Sequence, residues 1–241
     1  MKIPRRRITW RPSRRIVPSR YPTVRLFERV APPTEFEALA ELESMTNDRL
    51  RDERGEIALV PREERPRGVN ASVIMAPFTH LNPEGSRFSD GTYGVCYVAH
   101  DLETAIEETR HHRARFMRAT REPPMELEMR VYLVDLDAEL HDLRGRRRAI
   151  RAVHSAENYA AAQRLARRLR SAGSAGIAYP SVRRPGGECA AVFTPSALSN
   201  CRQERHLSYV WDGEQVSRIY RKTEVRLRRK EVRLANRARR R

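Results

Sequence analysis

The sequence predicts a mixed α/β fold of the α+β kind, one domain of short strands flanked by helices. Three observations carry that expectation. Short apolar runs bounded by turn residues recur at residues 95–99, 176–181 and 189–193 and read as strands. Apolar residues at helical spacing follow two capping candidates, Asp101 and Ser155. A length of 241 residues fits one generous domain better than two small ones.

Taken in order, residues 1–22 hold Pro4, Pro12, Pro18 and Pro22 among arginines and read as an extended basic arm. Thr34 is positioned to cap a helix through EFEALAELESM, with Phe36, Leu39, Leu42 and Met45 along one face. Residues 50–70 are charged and proline-containing, hence a loop, and SVIMAPF at 72–78 reads as a buried strand. A turn-rich stretch at 85–94 leads into the strand at 95–99. The helix behind Asp101 is expected over 102–116, packing through Leu102, Ile106, Thr109 and Phe116.

Leu127, Met129, Val131 and Leu133 alternate with polar neighbours as in a half-buried strand. Tyr159, Ala162, Ala166 and Leu169 define the apolar stripe of a third helix, ended by Gly173 and Gly176. The strands GIAYPS and CAAVF follow, and 207–220 reads as a hairpin turning at Asp212-Gly213. Residues 218–241 form a basic tail, and no internal repeat is visible.

The formal charge of +17 suggests a nucleic-acid partner until it is located along the chain. Residues 1–29 hold ten Lys or Arg against one acid, and 218–241 hold twelve against two. Those ends carry +9 and +10, which leaves −2 for residues 30–217. The basicity belongs to two ends of a nearly neutral body, where nonspecific contact with nucleic acid is one use and plain solvation another. Three cysteines, Cys96, Cys189 and Cys201, form no CxxC pair and fit buried thiols in a reducing cytoplasm. The basic start MKIPRRRITWRPSRR has no apolar stretch behind it, so it does not read as a secretory signal, and no run approaches the ~18 apolar residues of a membrane span.

The chain has no GxGxxG, P-loop, GxSxG or HExxH pattern, and its histidines and cysteines lack metal-ligand spacing. His111 and His112 are adjacent, about 100° apart on a helix. Arg87, Tyr97 and Glu108, ten and eleven residues apart, remain as candidates, with Ser181 in YPSVRRPGG. Arg87 follows a turn where a guanidinium and free backbone N–H groups suit an anion. Taken alone, Tyr97 alternates with Val95 and Ala99 as a core residue does, Glu108 reads as a solvated helix glutamate, and Ser181 as a turn former.

Together these residues resemble the signature of the RES-domain family. That signature runs from a Gly-Gly-Arg-Trp-Asn turn to a strand with tyrosine, then to a Thr-Ala-x-x-Glu helix with a histidine four residues on. GSRF supplies Arg87, VCYVA Tyr97, TAIEE Glu108, and His112 follows. Ser86 stands for a glycine, Phe88 for the tryptophan and Ser89-Asp90 for the asparagine. GIAYPSVRRPGGECAAVF resembles the family's second block and supplies Ser181 and Arg183. RLFERV resembles the leading block through Arg29, with Arg25 as the alternative. The resemblance covers residues 23–217.

It implies a fold similar to ADP-ribosyltransferases and consumption of NAD+ as substrate, with no metal and no resident cofactor. The nicotinamide–ribose bond would be cleaved by hydrolysis or by phosphorolysis with inorganic phosphate as co-substrate. Arg87, Glu108 and Ser181 would be catalytic; Arg29, Tyr97 and Arg183 would bind substrate. A toxin role is implied, with a cognate Xre-like helix-turn-helix antitoxin, a cytoplasmic location and no membrane partner. The oligomeric state stays open, a homodimer within a toxin–antitoxin complex being one arrangement. Transfer of ADP-ribose to a macromolecule, and a non-enzymatic nucleic-acid-binding protein working through its basic ends, are the alternative readings.

Overall fold

A computed structural model describes residues 3–19, 56–145, 150–223 and 225. Seven strands form one mixed sheet: β1 (Arg5–Pro18), β2 (Cys96–Ala99), β3 (Met125–Asp142), β4 (Gly176–Pro180), β5 (Glu188–Val192), β6 (Leu198–Trp211) and β7 (Val216–Lys222). Among the described residues three α-helices accompany it: α1 (Ala71–Thr79), α2 (Leu102–Ala119) and α3 (Ala160–Ser171). The strand order is β1-β2-β5-β4-β3-β6-β7, and β1 also pairs with β3, which closes the first five strands into a circuit. Only β3 and β4 run parallel, and α3 is the crossover that joins them.

Each inner strand is apolar on both faces because both faces are covered. Tyr97, Ala99, Ile177, Tyr179, Cys189 and Ala191 face a core roofed by α2 and α3. Cys96, Val98, Ala178, Ala190 and Val192 face the opposite core, under α1. The strict alternation along β2, β4 and β5 sends every second side chain to the α2 side.

Residues 5–18, expected as part of an extended basic arm, are a sheet strand. β1 lies antiparallel along β3 from Arg5↔His141 to Pro18↔Met129, with a register shift between Trp10 and Ser13. Pro12 falls within that shift and Pro18 at the strand end, where a missing N–H costs the ladder little. Ile8, Trp10, Ser13 and Ile16 turn inward and are buried. Several arginines serve as outward stitches: Arg7 and Arg11 both donate to Asp137 at 2.5 Å, and Arg15 donates to the Tyr97 carbonyl at 3.1 Å.

SVIMAPF, expected as a strand, lies in α1. Ala71, Ile74, Met75 and Phe78 are its buried apolar residues, spaced i, i+3, i+4 and i+7. The short run has one polar position, Ser72, too few to reveal that period, and Val73, Ile74 and Pro77 bias the reading away from a helix. On α2, Met117 rather than Phe116 packs inward, and Phe116 is exposed beneath the Arg113 guanidinium. Residues 218–222, assigned to the tail, are part of β7. The helix expected after Thr34, Arg25 and Arg29 lie outside the described residues. Among the described residues no helix is long and apolar enough to cross a membrane.

The Arg7 hydrogen bond is the largest cause that holds the Asp137 carboxyl at about 2, below its ordinary 3.8, with Arg11 and Thr9 adding to it. A carboxyl lowered in the folded state stabilises above 3.8 and loses that contribution as pH falls toward 2. In urea unfolding, the wild-type midpoint should therefore fall across that window more steeply than that of Asp137→Asn.

Candidate active site

The turn before β2 is fixed by its own backbone. Ser86 N–H donates to the Ser89 carbonyl at 2.7 Å, and Gly85 has φ +71°. A Cβ on Gly85 would meet the Ser89 oxygen at 2.5 Å, so the turn tolerates no side chain there. This geometry sends Arg87 inward, where it is 6% exposed. Its Nη1 donates to the Ser155 carbonyl at 2.7 Å and the Val153 carbonyl at 3.2 Å, and its guanidinium lies 4.6 Å from the Tyr159 ring centroid.

Tyr97 ties the same turn to the sheet. Its hydroxyl accepts the Phe88 N–H at 2.9 Å and hydrogen-bonds the Ser86 hydroxyl at 2.7 Å. Burial is the main cause that raises this phenol above its ordinary range, so it stays protonated. Ser86 and Phe88, two of the three departures from the family turn, are thus integrated here. Ser86 anchors Tyr97, and Phe88 packs edge-on against Tyr179 at 4.8 Å.

Glu108 is set by the helix start. Asp101 caps α2, its carboxylate accepting the Thr104 N–H and hydroxyl at 2.8 Å each. Thr104 sits against Gly187, where a Cβ would come within 2.5 Å of its hydroxyl oxygen. Arg184 spans the same junction, bonding Thr104 at 3.3 Å and pairing with Glu103. The loop after β4 is thereby clamped to the first turn of α2.

That clamp brings Ser181 to Glu108. The Ser181 hydroxyl donates to Glu108 Oε1 at 2.6 Å and accepts the N–H groups of Arg183 at 3.1 Å and Arg184 at 3.0 Å. One proton given and two received commit this hydroxyl, so it orients the carboxylate and is not poised as a nucleophile. Cys189, on β5, brings Sγ to 3.9 Å from the same Oε1.

Arg183 reaches the loop that Arg87 holds. Its Nη2 donates to the Ala156 carbonyl at 2.6 Å, and Nη1 lies 3.7 Å from Glu157. His112, one helical turn beyond Glu108, lies close to several cations. Burial first, then His111, Arg183 and Arg87, lower its imidazole to about 4, so it is neutral at neutral pH.

Five of the six predicted residues are described. Ser181 touches Glu108; Arg87 and Arg183 converge on residues 153–157; and the Tyr97 hydroxyl is occupied within the fold, which leaves its ring for packing. Tyr179, Cys189 and Tyr159 were not anticipated as site residues. Buried Tyr179 feels Cys189, Glu108, Tyr97 and Arg87, which gather around it. Extending the alternation 177, 179, 181 through GIAYPS would have flagged it. Among the described residues no group of three or more His, Cys, Asp or Glu is arranged to hold a metal.

The chain belongs to the RES-domain family, whose model matches residues 62–212. It is similar to the uncharacterised protein y4oC of Sinorhizobium fredii (strain NBRC 101917 / NGR234), 32% identical over 211 residues that cover 86% of this chain and 85% of the relative. Among solved structures, the M. tuberculosis MbcT–MbcA toxin–antitoxin complex contains a chain 14% identical, with a TM-score of 0.38, over 51% of this chain and 73% of its own.

Two outcomes test this geometry. The His112 ring should titrate near pH 4 by NMR, and Arg183→Gln should move that titration upward, because Arg183 is one of the cations that lower it. Ser181→Ala strands the Arg183 and Arg184 N–H groups and should lower the unfolding free energy by about 1–3 kcal/mol in urea titration.

Proposed function

We propose that the protein consumes NAD+, cleaving the nicotinamide–ribose bond by hydrolysis or phosphorolysis, as the toxin of a toxin–antitoxin pair. The observation that carries the proposal is Glu108, its Oε1 fixed by Ser181 at 2.6 Å near Arg87 and two tyrosine rings.

The chemistry asks little of the protein. Nicotinamide leaves NAD+ as a neutral base from a cationic ring nitrogen, so no group need protonate it. Positive charge develops at the ribose carbon, as in glycoside cleavage, and an oriented carboxylate stabilises it. Glu108 takes that role. Ser181 holds the carboxylate in one orientation, so little reorganisation is left for the reaction itself.

Arg87 meets the pyrophosphate, whose oxygens match a guanidinium fork, with Arg29 as its expected partner from the leading block. The Tyr97 ring packs against a ring of the dinucleotide, worth on the order of 1 kcal/mol beyond burial. Arg183 orients a phosphate acceptor when phosphate replaces water. The neutral His112 avoids adding a third cation beside Arg87 and Arg183. In keeping with the family resemblance, a cognate antitoxin of Xre-like helix-turn-helix type covers the entrance.

The test is nicotinamide release from NAD+ by the purified protein, with and without inorganic phosphate. Wild-type release is expected, and an ADP-ribose 1-phosphate product would identify phosphate as acceptor. Glu108→Gln should lower kcat on the order of 100-fold, and Arg87→Ala should mainly raise KM. Wild-type protein that is folded and releases no nicotinamide overturns the proposal.

A further inference from the structure

Cys189 is a buried thiol, 3% exposed, for which the reaction above has no use. It sits on β5 opposite Tyr179 of β4 and Ala99 of β2, so its side chain belongs to the sheet face that carries the site. Its Sγ lies 3.9 Å from Glu108 Oε1, the oxygen that also receives the Ser181 proton. Burial first, and the Glu108 charge second, raise the thiol well above its ordinary range. The sulfur therefore keeps its proton and is a donor, neither a nucleophile nor a redox group.

The last torsion of a glutamate is soft, with a broad, roughly twofold profile, so a single hydrogen bond leaves the carboxylate free to swing. Ser181 approaches Oε1 from the loop after β4, and Cys189 approaches it from β5. Two donors from separate elements fix the plane of the group. Among the described residues no protein group donates to Oε2, which is left for the reacting ribose. A sulfur contact of this length is weak, so its effect lies in orientation more than in stability.

We propose that Cys189 is a positioning residue, its S–H and the Ser181 O–H together holding Glu108 Oε1 so that Oε2 faces the substrate. The inference rests on Glu108 being the carboxylate of the proposed reaction.

Two measurements test it. In nicotinamide-release kinetics, Cys189→Ala should lower kcat roughly five- to tenfold with KM for NAD+ unchanged, below the ~100-fold that a full ångström of misplacement costs. Cys96→Ala is the packing control. It removes an equally buried thiol from the opposite face of the sheet and should leave kcat as in wild type. By infrared spectroscopy, the S–H stretch that disappears in Cys189→Ala should lie at lowered frequency and move upward in Glu108→Gln.

An unchanged kcat in Cys189→Ala, an equal fall in Cys96→Ala, or an S–H band indifferent to Glu108→Gln would each overturn the assignment. If the wild type releases no nicotinamide, the reaction is wrong. The infrared shift then decides the Cys189–Glu108 contact by itself.

Discussion

The close approach of the loop after β4 to the first turn of α2 is the constraint on which the site depends. Gly187 lets the backbone come against Thr104, Asp101 fixes where the helix begins, and Arg184 bridges the two. The partners come from distant segments, 73 residues apart for Ser181–Glu108 and 80 for Arg184–Thr104. Sheet and helix are each ordinary alone; their contact turns a glutamate on a helix face into an oriented carboxylate. A side chain at 187 would act on the carboxylate without touching it.

Parts of this arrangement are legible in the sequence, for physical reasons. Asp101 followed by Thr104 announces a capped helix, and Asp212-Gly213 between apolar runs announces a hairpin; both are present. Ser181 and Glu108 came together because two motif blocks each fixed one partner. The α1 segment reads as a strand because six apolar residues in a row, 73–78, erase the period that separates helix from strand. β1 was missed because arginines and prolines outnumber the inward residues Ile8, Trp10, Ser13 and Ile16. The ties from Arg87 and Arg183 to carbonyls 153, 155 and 156 were out of reach, since a backbone oxygen carries no residue identity.

Among the described residues several arginines cross-link to backbone. The planar fork offers several donors, which reach carbonyls as well as carboxylates. Arg14 bonds the His100 carbonyl at 3.1 Å, and Arg15 bonds that of Tyr97 at the same distance. The strand that carries the Tyr97 ring is thus laced to β1 by side chains where its backbone pairs with β1 at one position alone. Part of the N-terminal charge is therefore internal structure, which narrows the surplus left for any nucleic acid.

The pairing of β1 with β3 also sets an order of events during synthesis. Pro18 meets Met129, and Arg5 meets His141, so β1 waits more than a hundred residues of synthesis for its neighbour β3. At roughly 5–20 residues per second that interval is on the order of ten seconds. Long-range strand pairing is slow to form in any case, because the loop must close before contacts repay it. β4, β5 and the loop bearing Ser181 emerge later still. A nascent chain therefore presents Glu108 unoriented until the serine 73 residues further on has been made and folded against it.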